Sequence, residues 1–133
     1  MAGDLVLVDT SVWIEALRAG GDPTCQQHVD SLMAGRQVAT CEVVVLEVLQ
    51  GAQSAEHLAR LSADLAATAV LGMEGAGDEA GHLAWSLRRR GLVIPTTDLL
   101  IAATARLHDV VLFHRDRHLA EAAAALDLRA WQP

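Results

Sequence analysis

Two short apolar runs without polar alternation, Leu5-Val6-Leu7-Val8 and Val110-Val111-Leu112-Phe113, constrain this chain more than any other feature. A strand with one face in water alternates apolar and polar side chains. A continuous run of β-favouring residues is instead covered on both faces, as the inner strands of a parallel sheet are. Parallel neighbours need long crossovers, and the intervening segments carry the punctuation of helices. Asp22-Pro23 is an N-cap followed by a first-turn proline, Ser54 is a second cap, and Gly20-Gly21, Gly35, Gly51 and Gly91 stand where helices should stop. The expected helices cover residues 11–19, 22–34, 42–50, 54–67, 78–90, 96–107 (capped by Thr96 or Thr97) and 116–126. Further short strands are expected at 37–40, 69–71 and, at the edge, 128–130. Strands alternating with helices predict an α/β fold, a three-layer α/β/α sandwich with a mainly parallel central sheet, and residues 1–133 read as one domain.

Both apolar runs lead into a carboxylate. Asp9 follows the first directly, and Asp116 comes three residues after the second. In an open parallel sheet the carboxyl ends of the strands share one edge, where such folds place their ligands. Asp98 stands in Pro95-Thr96-Thr97-Asp98, at the opening of a helix. Each of these aspartates has an innocent reading as a helix cap or as a first-turn acid favoured by the helix dipole. Thr10 and Ser11 are themselves capable caps, so the first helix does not need Asp9 for that purpose. Glu47 is different, because it interrupts the apolar stretch Val43-Val44-Val45-Leu46-Glu47-Val48-Leu49. Burying it requires a hydrogen-bond donor, an arginine or a metal. Two carboxylates about 4 Å apart repel by about 4 kcal/mol at an effective dielectric near 20. A converging set therefore calls for divalent cations or raised pKa values. Hard oxygen ligands suit Mg²⁺ or Mn²⁺.

Composition removes several classes of chemistry. The ten basic residues are all arginines, so no mechanism needing an active-site lysine is available, a P-loop or a Schiff base among them. Tyrosine is absent and there is no Gly-x-Ser-x-Gly elbow. The net charge of −7 lacks the basic footprint of a general nucleic-acid binder. No run approaches the length of a membrane span and no signal segment opens the chain, which predicts a soluble cytoplasmic protein. Cys25 and Cys41 form no CxxC, so buried free thiols are expected.

Four segments occur in order along the chain: Val8-Asp9-Thr10-Ser11-Val12-Trp13-Ile14-Glu15, Leu46-Glu47-Val48-Leu49-Gln50-Gly51, Pro95-Thr96-Thr97-Asp98-Leu99-Leu100-Ile101-Ala102-Ala103 and Arg115-Asp116-Arg117. Together they resemble the PIN-domain ribonucleases, specifically the VapC toxins of bacterial toxin–antitoxin pairs, and the resemblance covers essentially the whole chain. It implies an Mg²⁺- or Mn²⁺-dependent endoribonuclease with Asp9, Glu47, Asp98 and Asp116 as the catalytic acids. Asp9, Asp98 and Asp116 would hold metal. Glu47 would orient or deprotonate the attacking water, with Thr10, Ser11 and Thr97 as supporting donors. It also implies a homodimer silenced by a VapB-type antitoxin, whose C-terminal segment lies in the toxin's groove and commonly places an arginine in the acidic site. Arg115 and Arg117, which bracket Asp116, are candidate RNA contacts, whereas Arg88-Arg89-Arg90 reads first as helix-end capping. His114 and Leu119 depart from the family, where a threonine and an aromatic are common. For His114 and His118 a surface or capping role is expected, with RNA contact or tuning of the site as the alternative. A non-catalytic PIN-like RNA-binding module would be expected to lose acids, and all four are present. A metal-dependent DNA nuclease is the other alternative. An aspartyl-phosphate phosphatase would want a second aspartate where Ser11 stands.

Overall fold

The structure, a computed structural model, describes residues 4–126 and 128–132, so residues 1–3, 127 and 133 of the expected domain lie outside it. The elements run β1 (Val6–Val8), α1 (Thr10–Leu17), α2 (Pro23–Ala34), β2 (Val38–Thr40), α3 (Glu42–Gln50), α4 (Ala55–Ala66), β3 (Ala69–Val70), α5 (Ala76–Arg89), α6 (Thr96–Leu107), β4 (Val111–Phe113), α7 (Arg117–Ala125) and β5 (Ala130–Trp131). The sheet order is β3-β2-β1-β4-β5, and every pairing is parallel. The two apolar runs are thus the adjacent inner strands β1 and β4, in register from Val6 opposite Val111 to Val8 opposite Phe113. Leu7, Val8, Leu112 and Phe113 are fully buried, which is why neither strand alternates.

Right-handed crossovers in this strand order place α1–α4 on one face and α5–α7 on the other. Most helix contacts follow that division, α1 packing on α2 and α3, α3 on α4, α5 on α6, and α6 on α7, while α3 also meets α6. One core cluster surrounds the sheet and includes Trp13, Phe113, Ile101 and Leu119. A second fills the α5–α6–α7 layer through Ala76, Ala80, Leu83, Leu87, Leu99, Ala103 and Ala122. Four of these seven are alanines, and such small side chains let α5 and α6 approach closely. Burying each large member of such a cluster stabilises the fold by about 1.5–3 kcal/mol.

The turn from α1 to α2 depends on a glycine. A Cβ on Gly21 would lie 1.9 Å from the Glu15 carbonyl oxygen, so no other residue fits without moving backbone. Local boundaries differ from expectation by a residue or two at several places, α1 for instance ending at Leu17 rather than 19, and three differences have a clear cause. The fifth helix starts at Ala76, two residues early, because Gly75 adopts a left-handed conformation as its N-cap. Neither Thr96 nor Thr97 caps α6; Pro95 holds the N-cap position and both threonines are already helical. The last strand lies at 130–131, because pairing of Ala130 with Leu112 and Trp131 with Phe113 sets its register. Cys25 and Cys41 are free and buried, as expected. Among the described residues no helix is long and apolar enough to cross a membrane.

Candidate metal centre

Because all strands are parallel, Asp9, Cys41 and His114 follow β1, β2 and β4 on the same edge of the sheet. The Asp9 N–H donates to the Phe113 carbonyl (2.9 Å), which extends the ladder by one residue and pins Asp9 at the rim. Asp9 then caps α1 in an extended conformation, the reading the sequence left open beside Thr10 and Ser11. Its Oδ2 accepts from the Ser11 N–H (3.0 Å) and the Ser11 hydroxyl (2.5 Å). Its Oδ1 is buried and has no hydrogen-bond partner among the described residues. The side chain is 3% exposed, and an unpartnered carboxylate oxygen at such a site is costly. Burial pushes the Asp9 carboxyl above its ordinary value. The Ser11 hydrogen bonds oppose that shift, and the nearby charges of Asp116 and Glu47 add to it.

Ser11 does more than cap. Its hydroxyl also accepts the Arg115 N–H (3.0 Å), so one oxygen joins the end of β1 to the loop after β4. Thr10 donates its hydroxyl to Glu47 Oε1 (2.8 Å), which answers the sequence question of what meets the acid in an apolar helix: a hydroxyl from α1. Asp98 lies in the first turn of α6. Burial and then the charges of Asp116, Asp9 and Glu47 push its carboxyl up to about 6. Thr10 next to Asp9 reaches Glu47, Ser11 joins Asp9 to the residue before Asp116, and His118 lies within 4 Å of both Asp116 and Asp98, so contacts link the four acids along one rim. Asp116 caps α7, its Oδ1 accepting from the N–H groups of His118 (2.7 Å) and Leu119 (3.1 Å).

Three of the flanking residues depart from expectation. His114 is buried rather than at the surface; its Nδ1 accepts the Asp116 N–H (3.2 Å), and burial holds the imidazole below its ordinary pKa. His118 stands inside the acid group, its Nδ1 3.5 Å from Asp116 Oδ1 and 3.8 Å from Asp98 Oδ2. The Arg115 guanidinium pairs with Asp22 Oδ2 (2.9 Å) on α2's N-cap and reaches toward Cys25 Sγ. It is thus tied to the fold at an exposed position, and Arg117 is exposed as well. Thr97 is exposed too, and among the described residues it makes no hydrogen bond to the acids. Farther off, Arg90 donates to the Ala125 carbonyl and Arg89 lies over the Trp85 ring, consistent with a helix-end role for the arginine run. His118 carried a signal in the sequence, since a side chain two residues after an N-cap aspartate emerges at the same helix end.

One ligand atom each from Asp98, Asp116 and His118 lies within 4.8 Å of the others, a group able to hold a metal ion. Asp9 and Glu47 are not members of that group; the Asp9 Oδ1, buried and without a hydrogen-bond partner among the described residues, is nonetheless a carboxylate oxygen that a cation would stabilise.

The sequence matches the profile of the PIN domain over residues 6–125. A protein named VapC ribonuclease Mb1587, of Mycobacterium bovis, is 30% identical over 131 residues, spanning 95% of this chain and 97% of its own length. Ribonuclease VapC11 of Mycobacterium tuberculosis matches to the same extent. Among solved structures, VapBC2 from Rickettsia felis, bound to a DNA fragment from its promoter, superposes with a TM-score of 0.78 at 18% identity. That alignment covers 97% of this chain and 98% of the other, and it establishes likeness of fold. With an acid-lined sheet edge and this profile over residues 6–125 in hand, the chain belongs to the PIN-domain family.

Proposed function

We propose that this protein is a metal-dependent endoribonuclease of the VapC type, the toxin of a toxin–antitoxin pair, acting as one PIN domain over residues 1–133. The observation that carries the reading is the convergence of Asp9, Glu47, Asp98 and Asp116 from four separate elements, with one Asp9 oxygen buried and unpartnered. Relatives that match over nearly their whole length carry the name ribonuclease.

Mg²⁺ or Mn²⁺ is the cofactor the carboxylates suit. Asp9, Asp98 and Asp116 would hold it, and when bound it supplies Lewis acidity toward a phosphate oxygen and toward water. The chain does the rest. Ser11 fixes the rotamer of Asp9 by occupying Oδ2, which leaves Oδ1 for the ligand. Thr10 occupies Glu47 Oε1, so the other carboxylate oxygen is the one left to accept a proton from the attacking water. Water oxygen adds to phosphorus, its proton passes to Glu47, and the bond from phosphorus to the departing ribose oxygen breaks as that oxygen takes up a proton from solvent water. Arg117, exposed at the start of α7, would meet a phosphate of the RNA. The overall charge of −7 keeps such contacts local and makes binding depend on this small site.

A cleft of about 320 Å³ adjoins Glu47, lined by Trp13, Ile14, Leu17, Val48 and Leu61 among others. The buried Trp13 indole N–H has no partner there. An apolar cleft running into an acid cluster is suited to a VapB-type antitoxin segment carrying an arginine, and the toxin itself would pair as a homodimer.

The test is cleavage of RNA by the purified chain. EDTA should abolish cleavage, Mg²⁺ or Mn²⁺ should restore it, and DNA of the same sequence should survive. Cleavage indifferent to chelation would exclude the metal mechanism, and cleavage of DNA instead would reassign the substrate.

A further inference from the structure

We propose that His118 supplies a nitrogen ligand beside Asp98 and Asp116, so that the site takes first-row transition ions such as Mn²⁺ in preference to Mg²⁺. The inference rests on the nuclease reading in that both place a divalent ion at this rim.

The imidazole is 3.5 Å from Asp116 Oδ1 and 3.8 Å from Asp98 Oδ2, beyond hydrogen-bond length to either. It faces two carboxylates without being tied to them as a donor. Ligand atoms that share one ion, each about 2.1 Å from it, stand roughly 3–4 Å apart. The other members of the group are held by structure of their own. Asp116 is fixed by two backbone N–H groups at the α7 cap. Asp98 is anchored in the first turn of α6, its side chain 15% exposed against 36% for His118. The imidazole is thus more exposed than Asp98 in the group, and the buried Asp9 carboxylate lies outside it, on the same edge of the sheet. His118 follows Asp116 by two residues, so the α7 cap that orients the carboxylate also fixes the start of the imidazole's helix.

Donor chemistry sets the consequence. Mg²⁺ is hard, retains its waters and favours oxygen, whereas imidazole nitrogen is accepted more readily along the transition series. An all-carboxylate rim would leave Mg²⁺ and Mn²⁺ close in affinity; a mixed nitrogen and oxygen rim separates them.

The experiment titrates the purified chain with MnCl₂ and, separately, MgCl₂ by calorimetry, and follows Mn²⁺ by electron paramagnetic resonance. The wild-type protein should bind Mn²⁺ more tightly than Mg²⁺ by about tenfold or more, with ¹⁴N coupling in the spin-echo modulation. His118→Ala and His118→Gln should lose that coupling and about tenfold in Mn²⁺ affinity, with Mg²⁺ changed by less than about threefold. Circular dichroism and Tm confirm that both variants fold. Mn²⁺ affinity unchanged in both variants overturns the assignment. So does an equal loss for both ions, which marks an electrostatic or structural role. So does tighter binding of both, which marks the imidazole as a competitor for the site. Binding lost in Asp98→Asn yet intact in His118→Ala overturns the histidine ligand and leaves the nuclease reading standing. A wild-type chain that binds neither ion overturns both.

Discussion

Asp9 and Asp22 hold the same local post, the N-cap of consecutive helices, and end in opposite electrostatic states. Asp22 accepts from the Thr24 and Cys25 N–H groups, and the Arg115 guanidinium stands 2.9 Å away. These donors, the Thr24 N–H first, hold its carboxyl below the ordinary range. Asp9 has a serine for one oxygen and nothing for the other, and burial raises it. One cap is satisfied and structural. The other is left wanting a positive charge, and the neighbouring acids sharpen that want. What separates a stabilising aspartate from a candidate functional one is the unfilled half of its hydrogen-bonding capacity.

The comparison can be broken most directly by exchanging carboxylate for amide at each cap. Asp9→Asn should lower RNA cleavage by at least about 100-fold while the fold survives, because a metal ligand matters at least as much as the groups that orient it. Asp22→Asn should keep activity within about fivefold, since it loses only a support. Equal losses in initial rate for the two would erase the distinction.

Stability against pH sharpens it next. Asp98 has its carboxyl raised from 3.8 to about 6, so the folded state favours its protonated form. That contribution is fully present below pH 3.8 and is lost as pH rises through about 6. Asp9 follows the same sign. Asp22 has the opposite sign: its contribution is present above the ordinary carboxylate value and is lost as pH falls through the lowered one. In metal-free protein, Asp98→Asn should therefore raise stability at pH 7 by about 2 kcal/mol and flatten the loss between pH 4 and 7. Thermal unfolding across that range is the measurement, and a lower stability at pH 7 would show that Asp98 is paired rather than repelled.

Two smaller effects test the supports. Ser11→Ala removes the hydroxyl that joins Asp9 to the Arg115 backbone, and cleavage should fall about tenfold with metal affinity weakened in step. Asp22→Ala should lower Tm by about 2–5 °C through loss of the α2 cap. Its activity should fall only as far as Arg115 loosens the loop before Asp116, and Tm and rate measured on one preparation separate the two.

Several features were legible in the residues alone. Unalternating apolar runs can be satisfied only between layers, which marked the inner strands. Caps and glycines bounded most helices, and Glu47 announced itself by interrupting an apolar face. The misjudged features were matters of neighbourhood. Nothing local distinguishes His114 from a surface histidine; its burial follows from β5 pairing outside β4, with the His114 N–H donating to the Trp131 carbonyl. That Arg115 would pair with Asp22, far off in sequence, was likewise not written in the residues around it. The edge strand fell at 130–131 because its register is set by Leu112 and Phe113 rather than by its own residues.

The sequence alone determined the alternation of strand and helix, the parallel sheet and the placing of acids at chain positions that a parallel sheet must gather on one edge, because hydrophobic periodicity and capping act over a few residues. Only the tertiary structure decided which of those acids would be satisfied and which left bare, and that His118 would join them. Desolvation and charge repulsion depend on distances between α1, α3, α6 and α7, and no local pattern of residues encodes those.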